Sequence, residues 1–104
     1  MANEELMRNM SITVGITPVI VSEEITGSQR SVLFITNTST AGQKITISAG
    51  DEAVLGAGIP ISVGGFYQDS MDSGYKPTNK RIMAVSNVAG GTIAIHERII
   101  NRGY

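Results

Sequence analysis

His96, Glu97 and Arg98 are the one place in this 104-residue sequence where the only histidine stands beside an acid and a cation. A histidine and a carboxylate within hydrogen-bond reach can share a proton in general acid–base catalysis. On a strand, however, His96 and Arg98 point to one face and Glu97 to the other, so adjacency in sequence does not make an acid–base pair. A metal site wants several His, Cys, Asp or Glu ligands converging, and a copper site of the kind some sandwiches carry wants a cysteine. The sequence has one His and no Cys. His96 is expected to be a surface or hydrogen-bonded structural histidine, with no catalytic residue, no metal and no cofactor.

Other candidates fail on pattern. Asp69-Ser70-Met71-Asp72-Ser73-Gly74 is rich in oxygen but lacks the bidentate acid that closes a calcium loop, so it reads as a solvated turn. Gly56-Ala57-Gly58 is too short for a dinucleotide fingerprint and opens no helix; it reads as a loop needing backbone freedom. No serine sits in a Gly-x-Ser-x-Gly elbow. Asn9-Met10-Ser11 and Asn37-Thr38-Ser39 match the glycosylation triplet, yet the start MANEELMRNM has no basic segment followed by an apolar one, so the match is expected to be accidental. Tyr67 and Tyr75 bracket the 69–74 loop and either form a stacking platform for a sugar or sit at the core edge with solvated hydroxyls.

The elements that would carry these residues are strands. Ile45 and Ile47 alternate with Lys44, Thr46 and Ser48, and Ile59, Ile61 and Val63 alternate with Pro60 and Ser62, which is the period of half-buried strands. Strands are expected over 12–16, 19–21, 30–37, 43–49, 59–63, 66–71, 81–87 and 92–99. Pro18 interrupts the first pair and places 19–21 along a sheet edge. Val32, Leu33, Phe34 and Ile35 are consecutive apolar residues, so both faces of that strand are expected to be covered, as in a central strand or one bordering a subunit contact. Ala89-Gly90-Gly91 reads as a tight hairpin into 92–99. The whole predicts an all-β fold, an antiparallel β-sandwich of jelly-roll type, with Ile45, Ile47, Ile59, Ile61, Val63, Ile82, Ile93 and Ile95 inside.

Domain organisation follows from length. The chain is expected to be a short N-terminal arm over 1–11 and one sandwich domain over 12–104, large enough to bury about 60 to 70% of its unfolded surface. Leu6, Met7 and Met10 give the arm an apolar strip at helical spacing, too short to be stable alone, so it is expected to reach a neighbouring subunit or the surface of another partner. Net charge is −1, which supplies no field for nucleic acid or an anionic membrane, and no run is long enough to span a bilayer. A soluble, non-exported protein is expected, and cysteine usage agrees. Charged residues make up only 16% of the chain, which suits either a surface partly covered by other subunits or wet strand faces carrying Thr and Ser. With the run 32–35, the low charge leads to an expectation of self-association.

The run Gln43-Lys44-Ile45-Thr46-Ile47, the Gly56-Ala57-Gly58-Ile59 loop, Gly64-Gly65, Pro77, and the close from Arg81-Ile82-Met83-Ala84-Val85-Ser86 through Gly91-Thr92-Ile93-Ala94-Ile95-His96-Glu97-Arg98 carry a resemblance over about residues 30–99. They resemble small structural proteins of tailed bacteriophages, the head decoration or cement proteins and related fibre components. The resemblance implies a compact sandwich that forms a homo-oligomer, often a trimer, made in the host cytoplasm and bound to the major capsid protein on the virion surface, with no enzymatic site. The expected contact residues are Leu6, Met7, Met10, Val32, Phe34, Tyr67 and Tyr75. A small glycan- or receptor-binding sandwich of a fibre or cell surface stays open beside it.

Overall fold

Alternating β-branched and polar residues resolve into eight strands in a computed structural model, which describes residues 5–71 and 76–101. These are β1 (Glu5–Val14), β2 (Val19–Ser22), β3 (Ser28–Asn37), β4 (Ile45–Ala49), β5 (Ile59–Ile61), β6 (Phe66–Ser70), β7 (Ile82–Ser86) and β8 (Gly91–Asn101). They form a front sheet in the order β1-β8-β3-β6 and a back sheet in the order β2-β7-β4-β5, with every neighbouring pair antiparallel. Only β4 and β5 are consecutive strands that pair in one sheet; each other connection carries the chain across to the opposite sheet. That is the double Greek key of a jelly roll, as the alternation predicted.

The core is the inner face of each sheet. Leu33, Ile35, Ile93 and Ile95 from the front meet Ile45, Ile47, Ile61 and Ile82 from the back, all buried. Two of the residues expected inside are not there: Ile59 is 39% and Val63 43% exposed. Ile59 pairs with Ile47, but β5 is a three-residue edge strand, and burial falls off at the rim of the sheet. Val63 belongs to a turn, closed by the Gly65 amide donating to the Ser62 carbonyl at 2.8 Å, and not to a strand.

The loop between β4 and β5 makes a smaller second core. Ala53 packs with Met83 and Val85, which alternation turns away from the main core. Gly58 closes this loop at φ 152°, and a Cβ there would lie 2.5 Å from the Ile47 carbonyl oxygen. Gly58→Ala is therefore expected to lower the unfolding free energy by about 1 to 3 kcal/mol. Gly56→Ala, also at positive φ but in open space, provides the comparison in urea denaturation. Equal midpoints for the two variants would mean that the close approach is absent.

Two other expectations are corrected. The first strand begins at Glu5 and not at Ile12: residues 5–11, expected in a projecting arm, pair with β8 from Glu5↔Ile100 onward. An isolated turn of helix this short is unstable, whereas pairing satisfies the backbone of every residue facing β8. Removing residues 2–10 would thus take away the first half of an edge strand. Residues 89–91 do not form a hairpin, because β7 and β8 lie in different sheets; they carry the chain between layers, with Gly90 at φ 85°.

Each end of the sandwich is fastened around a buried polar side chain. At one end Asn37, fully buried, donates through Nδ2 to the carbonyls of Gln43 and Ile61, both at 2.8 Å, and accepts from the Ser39 amide at 3.0 Å. Both amide hydrogens are used, so the triplet beginning at Asn37 is closed to glycosylation in the folded chain. At the other end Arg30 uses all five of its N–H donors. Nε donates to Glu97 Oε2, Nη1 to the carbonyls of Thr78 and Lys80, and Nη2 to Ser22 Oγ and the Glu23 carbonyl. The Ser22 hydroxyl in turn donates to Glu97 Oε2 at 2.7 Å.

Candidate functional site

Strand register brings together on the outer face of the front sheet what the sequence scatters over ninety residues. Asn9 pairs with His96, His96 with Phe34, and Phe34 with Gln68, so these four side chains form one row across all four strands. The next row is Ser11, Ala94, Thr36 and Phe66; on the other side lie Met7, Arg98, Val32 and Ser70. The small Ala94 drops the floor of this face, leaving a hollow of about 420 Å³ lined by Asn9, Phe34, Thr36, Ala94 and His96.

The polar groups here are held in one arrangement. Arg98 Nε donates to His96 Nε2 at 3.0 Å. Because Nε2 accepts, the imidazole proton is on Nδ1, which donates to Asn9 Oδ1 at 2.7 Å. Glu97 points the other way, into the interior, so the alternation that separated it from His96 is observed. Phe34 and Phe66 meet edge to face, with centroids 5.3 Å apart and planes at 66°. Phe66 is 60% exposed. Among the described residues no three His, Cys, Asp or Glu side chains converge as metal ligands.

The contact residues expected from the sequence divide between two faces. Met7, Val32 and Phe34 come together on the outer face of the front sheet. Leu6 and Met10 do not join them: a strand turns them to the inner face, where Met10 packs against the core while Leu6 stays exposed at the rim. The strip read at helical spacing is thus split by strand geometry. Tyr67 also faces inward, half-buried against the core, and its hydroxyl donates to Asp69 Oδ2 at 3.1 Å. Tyr75 and Asp72 to Gly74 of the calcium-like loop lie outside the described residues. Sequence reasoning missed Asn9, Thr36, Phe66, Gln68 and Ala94 as neighbours, and the signal it needed, the register between strands, is not written in any one strand.

No family model matches the chain, and no curated protein is similar to it in sequence. A solved structure is similar to it: a chain from the endospore appendages of Bacillus, described as a novel family of disulfide-linked pili. The two superpose over 100% of this chain and 93% of the other, with a TM-score of 0.59 and 13% identity. At that identity the likeness shows the fold, a β-rich sandwich of the kind found in a surface appendage. The present sequence has no cysteine with which to form a disulfide.

Proposed function

We propose that this protein is a non-enzymatic structural subunit of a surface assembly, built by self-association. The observation that carries the reading is the edge strand β1, ten residues long and, among the described residues, paired on one side only. Natural sandwiches blunt their edges with short strands, bulges or proline. The back sheet does so: β2 has four residues and a register shift between Ile20 and Ser22, and β5 has three residues with Pro60 among them. β1 has none of these three; its charges are Glu5 and Arg8, and between them it carries Leu6 and Met7, both more than half exposed, on its two faces. A free edge with apolar residues on both sides is a template for pairing with another chain.

In its finer form the reading is a bacteriophage decoration or cement protein, a homotrimer seated on the major capsid protein at the virion surface. The sequence resemblance supports this form. The likeness to an appendage subunit supports a second form, a repeating unit of a filament. Light scattering on a size-exclusion column at micromolar concentration tests both. A trimer that sediments with undecorated capsids is the result expected of the first, and filaments under the electron microscope of the second. A Leu6→Lys/Met7→Lys double variant is expected to remain folded and to dissociate. A wild-type protein that stays a clean monomer would overturn the proposal.

A further inference from the structure

We propose that the hollow on the outer face of the front sheet binds a carbohydrate that carries a carboxylate. The inference is independent of the self-association reading, which concerns the β1 edge. A hollow of about 420 Å³ accommodates one or two sugar rings. Its walls combine the two kinds of surface a sugar presents to. The Phe34 ring in the wall, with Phe66 packed against it from β6 just outside, offers an apolar face to the ring C–H groups, and Asn9 and Thr36 in the wall, with Gln68 beside Phe34 on the neighbouring strand, offer amide and hydroxyl groups to its hydroxyls. The side chains stand on four paired strands and not on loops, so little ordering is needed on binding.

The carboxylate is assigned from Arg98. Its Nε is committed to His96, which fixes the guanidinium plane. Among the described residues, the two Nη groups have no hydrogen-bond or ion-pair partner, and that edge of the fork suits a carboxylate. Strand alternation places Glu5 and Arg98 as the charged residues of this face; Glu5 pairs with Ile100, one row further from the hollow than Arg98. Glu97 and Arg8 face the opposite side of the sheet. Among the described residues, Arg98, next to His96 in the lining, is thus the cation nearest the hollow, with the Glu5 carboxylate one row further out. The Arg98–His96–Asn9 chain also orients Asn9, leaving its Nδ2 donors for a sugar hydroxyl.

Saturation-transfer NMR and titration calorimetry with 3′-sialyllactose and with tri-galacturonate, against lactose and cellotriose, test this. Acidic sugars are expected to bind more tightly than the neutral ones by about tenfold, the ratio expected for one charge-assisted pair. Arg98→Gln is expected to remove that preference while neutral binding persists, and Phe66→Ala, at an exposed position, to weaken all sugars together. Ala94→Trp fills the hollow and is expected to abolish binding; should it fail to fold, Phe66→Ala and Arg98→Gln still decide. No transfer to any of the four sugars at millimolar concentration, with the protein shown folded by its melt, overturns the proposal. Binding of lactose as tight as that of sialyllactose overturns the carboxylate assignment, and binding that survives Ala94→Trp in a folded protein overturns the site.

Discussion

Glu97→Ala is expected to lower the unfolding free energy by about 3 to 5 kcal/mol, the range for removing one partner of a buried ion pair. Arg30 and Glu97 both have fully buried side chains. Without the carboxylate, the guanidinium keeps its bonds to Ser22 and to three carbonyls but loses the charge that offsets its own. The other cation near Glu97, Arg8, approaches Oε1 only to 3.8 Å and is itself 42% exposed, which leaves Oε1 without a hydrogen bond among the described residues. Arg8→Ala is accordingly expected to cost little. The double variant Arg30→Met/Glu97→Leu should recover only part of the loss. It removes both charges, but it strands the carbonyls of Thr78, Lys80 and Glu23 that Arg30 had satisfied. Urea denaturation measures the free energies. Hydrogen exchange at the Ile25 amide, which donates to the Asn79 carbonyl at 2.8 Å, reports whether the loop stays fastened. A Glu97→Ala midpoint equal to that of wild type would show that the pair is not closed in solution.

Ile47→Ala is expected to cost about 2 to 5 kcal/mol. Ile47 is 2% exposed, lies in a central strand of the back sheet and pairs with Ala84 on one side and Ile59 on the other. Ala84 offers no bulk to fill the space that truncation leaves. Ile59→Ala makes the internal control: the same deletion of methyl groups, directly across the ladder, at a position 39% exposed. Its cost should be smaller, since less surface is returned to water. Thermal melts that rank Ile59→Ala at or above Ile47→Ala would contradict the placement of the core.

Much of this architecture is legible in the sequence because strand alternation is a local signal. Ile45 and Ile47 announce the inner face across Thr46, Ile93 and Ile95 keep the same period across Ala94, and Pro18 marks the interruption before an edge strand. What is not legible is whatever depends on which strands meet. Leu6, Met7 and Met10 fit a helical turn as well as a strand, and only the presence of β8 alongside decides between them. Gly90-Gly91 looks like a hairpin until β7 and β8 are assigned to different sheets. Arg30 and Glu97 lie 67 positions apart, and neither carries a mark of being inside. The outer-face hollow is legible in one part: His96 and Arg98 share a face by alternation, while their companions Asn9, Phe34 and Gln68 arrive only through register.

The position of β8 also governs when the fold can form. It follows every other strand in the chain, yet it lies between β1 and β3 in the middle of the front sheet. Until it is made, β1 has no partner, β3 has one open side, and Arg30 faces no carboxylate. During synthesis the first seven strands must therefore wait with the inner face of the front sheet incomplete, in a topology already rich in distant contacts and so slow to close. A chain that ended before Gly91 would not be a smaller sandwich. It would be one assembled sheet facing a β3–β6 pair and a detached β1, and the last strand to be made is the one that joins them into a layer.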